Sequence, residues 1–130
     1  MLSNVQPPKN MRLIDTNIIL RFILNGNPEM AKCAKETIEA GAYTKPEIIA
    51  EVVYVLKSVY AVRRERIGSI IQNISKVIHL ENSPCILYAA ELYSATSLDF
   101  VDCLLAAYHT INHETVVTFD KKLKKRLMAE

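Results

Sequence analysis

Short apolar runs separated by longer helical patterns are the feature that most restricts how this chain folds. The runs at 11–14, 77–80 and 115–118 are four residues each and rich in aliphatic or β-branched side chains, and 42–44 is a shorter run. Strands that alternate with helices build a parallel sheet with helices on both faces. We therefore predict an α/β domain of three layers, with a parallel sheet of about four to five short strands.

Capping residues mark where several helices begin. Asn27 followed by Pro28 predicts an N-cap and first helical residue, with the helix running to about residue 40. Thr44 and Glu47 have the spacing of a capping box and predict the start of a central, broadly apolar helix. Further helices are predicted at 62–75, 83–96 and 99–111 and after residue 120.

The size of the chain suits one domain. It has 130 residues, of which half are hydrophobic, so it can bury a core. We expect a short leader at 1–10 and a single domain at 11–130. The apolar stretches are too short to span a membrane, and the start resembles no signal peptide. Three scattered cysteines suit free thiols in a reducing cytosol, so we predict a cytoplasmic protein.

Basic residues are concentrated in two places. The last eleven residues carry five basic side chains against two acidic ones, and a second cluster lies near residue 64. Such clusters can hold phosphates, although a solvated helix face is the alternative explanation. The candidates are Arg63, Arg64, Arg66, Lys121, Lys122, Lys124 and Lys125.

Acidic residues fall near the predicted strand ends. Asp15 directly follows the first strand and Asp120 follows the last by two residues, and ligand sites in parallel sheets lie at the carboxyl ends of strands. Glu51 lies mid-helix, and Asp99 and Asp102 lie three apart at a helix start. Each acid also has a structural alternative, such as a turn, a salt bridge or a helix cap.

A shared metal site would explain these acids together. Several carboxylates in one pocket repel each other unless a cation neutralises them, and oxygen ligands suit Mg²⁺ or Mn²⁺. Such ions activate water and stabilise the leaving oxygen in phosphoryl chemistry. The chain contains no P-loop, GxGxxG, GxSxG or HExxH motif that would indicate another chemistry.

Four segments in order resemble the motifs of PIN-domain ribonucleases. The first contains the Asp15-Thr16-Asn17 triplet, and the four occur in the family's order within a span from residue 11 to 120, nearly the whole chain. The size and single-domain form resemble the VapC-type toxins of toxin–antitoxin pairs. The four segments are 13–22, 46–56, 100–107 and 116–120.

The resemblance implies a metal-dependent endoribonuclease that acts on single-stranded or looped RNA. It matches Asp15, Glu51, Asp102 and Asp120 to the catalytic acids that hold Mg²⁺ or Mn²⁺. It gives supporting roles to Asn17, which would orient the first acid, and to Thr118, which would line the pocket. Asp99 is either an outer carboxylate or a helix cap, and a shift of one turn in the third motif would exchange it with Asp102.

The same resemblance implies partners. The basic clusters would contact RNA phosphates, and a cognate antitoxin would inhibit the enzyme. An apolar helix around residues 86–93 suits the seam of a homodimer. Two alternatives stay open: a catalytically inactive PIN-like module that binds RNA or protein, and a PIN nuclease of RNA processing. A dehalogenase-like phosphatase is disfavoured because Asp15 is followed by Thr16-Asn17 and not by an Asp-x-Asp pair.

Overall fold

The computed structural model describes residues 7–8 and 10–129. This part of the chain comprises three strands and seven helices, and most of the predicted leader lies outside it. The elements in chain order are β1 (Arg12–Leu13), α1 (Thr16–Leu24), α2 (Pro28–Glu39), β2 (Ala42–Thr44), α3 (Pro46–Ser58), α4 (Arg64–Ile74), β3 (His79–Leu80), α5 (Ser83–Ala95), α6 (Phe100–Asn112) and α7 (Lys121–Met128).

The sheet is parallel, with its strands in the order β1-β2-β3. Leu13 lies opposite Tyr43, and Thr44 lies opposite Leu80. The fully buried Thr44 donates its hydroxyl to the carbonyl of Ile14 over 3.3 Å, which fastens the ends of β1 and β2 together. The predicted α/β class with a parallel sheet is therefore confirmed. Residues 14 and 15, which follow β1, are held at the carboxyl edge of this sheet.

The predicted number of strands was wrong for the described residues. Three strands are present and not four to five, because residues 115–118 form no ladder with another strand. Val117 in this segment is 89% exposed, so its side chain packs against no sheet or helix layer. A β-branched run becomes a strand only where a neighbouring strand and a packed face are available to it.

The helix starts follow local chemistry. Asn27 caps α2 as predicted, since its Oδ1 accepts a hydrogen bond from the backbone of Met30 over 3.1 Å. The predicted capping box of the next helix was wrong: α3 begins at Pro46, and Lys45 occupies the N-cap position without a side-chain cap. The residue before a proline is disfavoured in helical conformation. Lys45, which precedes Pro46, is therefore extended and takes the N-cap position, and Thr44 lies one residue too early to cap the helix.

The close approach of α4 and α5 determines what Arg64 contacts. At Gly68 in α4, an added Cβ would lie 1.9 Å from the hydroxyl oxygen of Ser94 and 3.1 Å from the carbonyl oxygen of Ala90, so the Ser94 hydroxyl would have to rotate away. Arg64 lies one helical turn earlier on the same face of α4. Its guanidinium consequently reaches Tyr93, the neighbour of Ser94, at a distance of 3.7 Å from the ring centroid.

The core is formed mainly by helix faces. α5 packs against both α4 and α6, and α3 packs against α1 and α6. Tyr93, which the sequence would have placed in a dimer seam, is 1% exposed and belongs to this core. None of the described helices is both long and apolar enough to cross a membrane.

Candidate active site

Asp15 follows β1 and caps α1. Its Oδ1 accepts a hydrogen bond from the backbone N–H of Ile18 over 3.1 Å. The side chain is nevertheless exposed, so the carboxylate faces solvent while it closes the first helical turn. A carboxylate held by a backbone N–H has a fixed orientation, which is useful for a ligand. Asn17, the predicted supporting residue, is also exposed and lines a shallow cavity beside Asp15.

Thr16 connects the first acid to the second. Its hydroxyl donates a hydrogen bond of 2.5 Å to Oε1 of Glu51, which joins α1 to α3. Glu51 is itself exposed on α3. The sequence interpretation did not assign a role to Thr16, although its position between Asp15 and Asn17 in the first motif was the available signal.

Three other acids line one cavity, which we call the acidic cavity. Asp99, Asp102 and Asp120 enclose a space of about 250 Å³ together with Lys121 and Lys122. Asp99 occupies the N-cap position of α6, but its carboxylate accepts no capping hydrogen bond. Asp102 lies in the first turn of the same helix. Asp99 thus occupies the predicted cap position with its backbone, but its side chain caps nothing and lines the cavity instead.

Asp120 is fixed from two directions. Its Oδ1 accepts a hydrogen bond from the backbone of Leu123 over 2.8 Å, so it caps α7. Its own N–H donates to the hydroxyl of Thr118 over 3.0 Å. Thr118 therefore holds the backbone from which this acid projects. That role differs from direct lining of the pocket, because Thr118 is absent from the cavity wall.

The electrostatics link the three acids of the acidic cavity. The pKa of Asp102 is raised, first by burial and then by repulsion from the charges of Asp120 and Asp99. Burial disfavours the ionised carboxylate, and like charges nearby have the same effect. The structure therefore brings Asp102 within interaction distance of both Asp99 and Asp120. Asp15 and Glu51 are linked to each other through Thr16 on neighbouring α1 and α3.

The chemistry of these donors fits a hard divalent cation, although they form no closed cage. Within 7–8 and 10–129, no three side chains of the His, Cys, Asp or Glu type are grouped closely enough to hold an ion alone. Mg²⁺ usually retains several waters and is bound by one or two carboxylates plus substrate phosphates. Asp102 and Asp120 supply such a carboxylate pair. A single site built from all four predicted acids stays a prediction.

Comparison with known proteins identifies the family. The PIN domain profile matches residues 12–126. The chain belongs to the PIN-domain family. It is also 30% identical over 124 residues to the VapC ribonuclease of Aquifex aeolicus (strain VF5), a match that covers 88% of this chain and 91% of that protein. Comparison with solved structures found no match.

One predicted phosphate ligand of this PIN domain is used internally. Arg64 donates from Nε to the carbonyl of Tyr93 over 2.9 Å and from its terminal nitrogen to the carbonyl of Leu98. The second contact holds the residue that immediately precedes Asp99. Arg64 therefore holds the start of α6, and the exposed members of the predicted cluster are Arg63 and Arg66.

The basic helix of the PIN domain borders the acidic cavity. The four lysines of α7 are exposed. Lys122 donates to the hydroxyl of Ser97 over 3.2 Å, which ties α7 to the loop before α6. Lys122 and Lys125 also line a neighbouring cavity of about 300 Å³. Cations thus lie directly beside the three acids, and ammonium groups form charge-assisted hydrogen bonds with phosphate oxygens.

Proposed function

We propose that this PIN-domain protein is an endoribonuclease that hydrolyses phosphodiester bonds in RNA with Mg²⁺ or Mn²⁺, and that it is the toxin of a toxin–antitoxin pair. The observation that carries the proposal is the acidic cavity, in which Asp102 is repelled by Asp120 and Asp99 beside Lys121 and Lys122. The name of its relative, VapC ribonuclease, supports the choice of RNA as substrate.

The chain's own residues have separate tasks in this proposal. Asp15, Glu51, Asp102 and Asp120 would hold the ion, with Asp99 as an additional carboxylate. When bound, the ion supplies activation of a water and neutralises charge on the leaving oxygen. Thr16, Asn17 and Thr118 would orient the acids; Thr16 does so through Glu51. Asp15, Glu51 and Asp120 are held by hydrogen bonds before substrate arrives, which reduces the cost of reorganisation.

The basic residues would hold the RNA backbone. Lys121 and Lys122 adjoin the acids and are placed to bind the phosphates next to the cleaved bond. Lys124, Lys125, Arg63 and Arg66 are exposed and would contact phosphates farther along the strand. Binding carried by such contacts weakens as the salt concentration rises, because counterions are released from the RNA.

The test is cleavage of end-labelled single-stranded RNA in Mg²⁺, Mn²⁺ or EDTA. Asp102→Asn and Asp120→Asn are compared with Glu29→Gln, an exposed acid in the first turn of α2. We expect cleavage that requires the metal, is lost in both aspartate variants and is kept in the α2 control. Cleavage that persists in EDTA or in Asp102→Asn would contradict the proposal.

We further propose that the protein acts in the cytoplasm and is inhibited there by a cognate antitoxin. Expression of the chain alone should arrest growth, and co-expression of the protein encoded by the adjoining gene should restore it. Growth arrest that persists in Asp102→Asn would argue against RNA cleavage as its cause. Expression without arrest, together with cleavage in vitro, would favour a nuclease of RNA processing.

We also propose a homodimer, with its seam placed away from α5. The apolar residues of α5 fill the core of one chain. Phe119 and Val117 are 97% and 89% exposed, and a second copy of the chain that covered them would remove apolar surface from water. Sedimentation equilibrium should give twice the mass of 14.7 kDa, and Phe119→Ser should lower it toward that of one chain.

A further inference from the structure

A second cavity shares a wall with the acidic cavity. It has a volume of about 450 Å³ and lies between α3 and α6; Asp99 and Asp102 line both spaces. We call it the aromatic cavity. Tyr54 and Lys57 line it from α3, and Val101 lines it from α6. Its volume is within the range of sites that bind small organic groups.

Tyr54 is the unusual member of this wall. It is 68% exposed, although α3 buries its other face in the core. Lys57 lies three residues later, so the ring and the ammonium group are neighbours on one helix face. Exposed aromatic rings beside cations are the arrangement by which proteins bind single-stranded nucleic acid, since a base stacks on the ring and a phosphate pairs with the cation.

Tyr93 provides an independent observation. It lines the same cavity and is 1% exposed, and within the described part of the chain its hydroxyl has no hydrogen-bond partner. A buried hydroxyl without a partner is unfavourable and uncommon. The hydroxyl is closed off from solvent, so a ligand with polar edges would pair with it only after the atoms that cover it move; an aliphatic side chain would not pair with it at all.

We propose that the aromatic cavity binds the nucleobase next to the cleaved phosphodiester bond, with its face against Tyr54 and the adjoining phosphate near Lys57. The inference rests on the proposed ribonuclease function. The two cavities are adjacent, because Asp99 and Asp102 line both of them. An RNA strand with one phosphate in the acidic cavity therefore has its next nucleotide within reach of the aromatic cavity. The chain thereby contacts bases as well as phosphates.

A binding experiment tests the base subsite without requiring cleavage. The chain contains no tryptophan, so Tyr54→Trp introduces a single fluorescent reporter into the cavity. Tyr60→Trp is the matched control, since Tyr60 is also exposed but does not line the cavity. Both reporters are combined with Asp15→Asn and titrated in EDTA with a single-stranded oligonucleotide, and with the same strand made fully abasic.

We expect the intact strand to quench the reporter at position 54 and the abasic strand to leave it nearly unchanged. The reporter at position 60 should respond weakly to both. Equal quenching of the two reporters, equal quenching by the two strands, or no quenching at position 54 would overturn the inference. Quenching by an antitoxin but not by RNA would overturn it in favour of a protein ligand.

A kinetic experiment separates this inference from the proposed function. With wild-type protein that cleaves RNA, Tyr54→Ala should lower kcat/KM by about 5-fold to 100-fold, the range given by loss of one stacked base. Tyr54→Phe should restore most of the activity, and Tyr60→Ala should have no effect. Full activity in Tyr54→Ala overturns the base subsite alone. Failure of the wild type to cleave any RNA contradicts the proposed function, while the fluorescence titration still decides base binding.

Discussion

Arg64 and Tyr93 are joined by two contacts of different kinds. The guanidinium lies 3.7 Å from the centroid of the Tyr93 ring, and Nε donates to the Tyr93 carbonyl over 2.9 Å. Because a third contact holds the carbonyl of Leu98, removing this side chain leaves buried acceptors unpaired. We expect Arg64→Ala to lower the free energy of unfolding by about 2–4 kcal/mol, measured by urea denaturation.

The neighbouring residue provides the control for Arg64. Arg63 has the same charge and is exposed at the start of α4. Arg63→Ala should change the free energy of unfolding by no more than about 0.5 kcal/mol. Equal effects of the two substitutions would show that charge at this helix start, and not the contacts to Tyr93 and Leu98, determines stability.

Thr16 should matter through the orientation of Glu51. Thr16→Val removes the hydroxyl that donates to Glu51 but keeps the shape of the side chain. We expect RNA cleavage to fall about 10-fold to 100-fold, which is typical for loss of a group that orients a metal ligand. Thr16→Ser keeps a donor and should retain most of the activity. Similar losses in both variants would argue for packing by the methyl group.

Asp15 and Asp120 allow chemistry to be separated from stability. Both cap helices through Oδ1, and asparagine caps as well as aspartate does. Asp15→Asn and Asp120→Asn should therefore leave the unfolding midpoint nearly unchanged, yet reduce cleavage by about a hundredfold or more. Asn27→Ala, which removes the cap of α2, should do the opposite and cost about 1 kcal/mol of stability at full activity.

The raised pKa of Asp102 predicts how the stability of the metal-free protein depends on pH. Below the ordinary value of 3.8 the carboxyl is protonated in both folded and unfolded chains. As the pH rises through 3.8 toward the raised pKa, the unfolded chain loses this proton first, so stability falls. Asp102→Asn removes the effect. In EDTA at pH 7 the variant should unfold at a higher urea concentration than wild type, with the difference vanishing below pH 3.8.

The three cysteines should differ in reactivity. Cys33 is exposed, whereas Cys85 and Cys103 are buried. Burial raises the pKa of Cys85 and raises that of Cys103 to about 12. Since the thiolate is the reactive form, a disulfide reagent should modify one thiol per folded chain at pH 8, and three in guanidinium chloride. Cys33→Ser should abolish the reaction of the folded protein; a second fast thiol would contradict the described packing.

Local signals in the sequence predicted local structure well. The cap of α2 by Asn27, the strand before Asp15 and the helix after Asp120 depend on a few adjacent residues, and all three are present. The strand at 115–118 depended on a distant partner. Its β-branched side chains met the local requirement, but no neighbouring strand pairs with it among the described residues.

The site was predictable in part for the same reason. Motif order selected the acids, and the structure brings Asp102 and Asp120 together. A sequence motif shows which residues are charged but not which distant residues a long side chain contacts. Arg64 meets the carbonyls of Tyr93 and Leu98, which lie 29 and 34 residues away in the chain. The exposure of Tyr54 beside a cavity likewise depends on how α3 and α6 pack.

Asp15 and Asp120 cap helices in addition to their proposed role in catalysis. This affects what their presence in a relative of this protein indicates. Asp15 and Asp120 each close the first turn of a helix, so selection for folding alone would preserve a capping residue, aspartate or asparagine, at both positions. A descendant without the proposed activity would therefore still carry a capping residue at positions 15 and 120. Glu51 and Asp102 cap no helix. In a newly sequenced relative, the loss of Glu51 or Asp102 is therefore the earlier and clearer sign that catalysis has been lost.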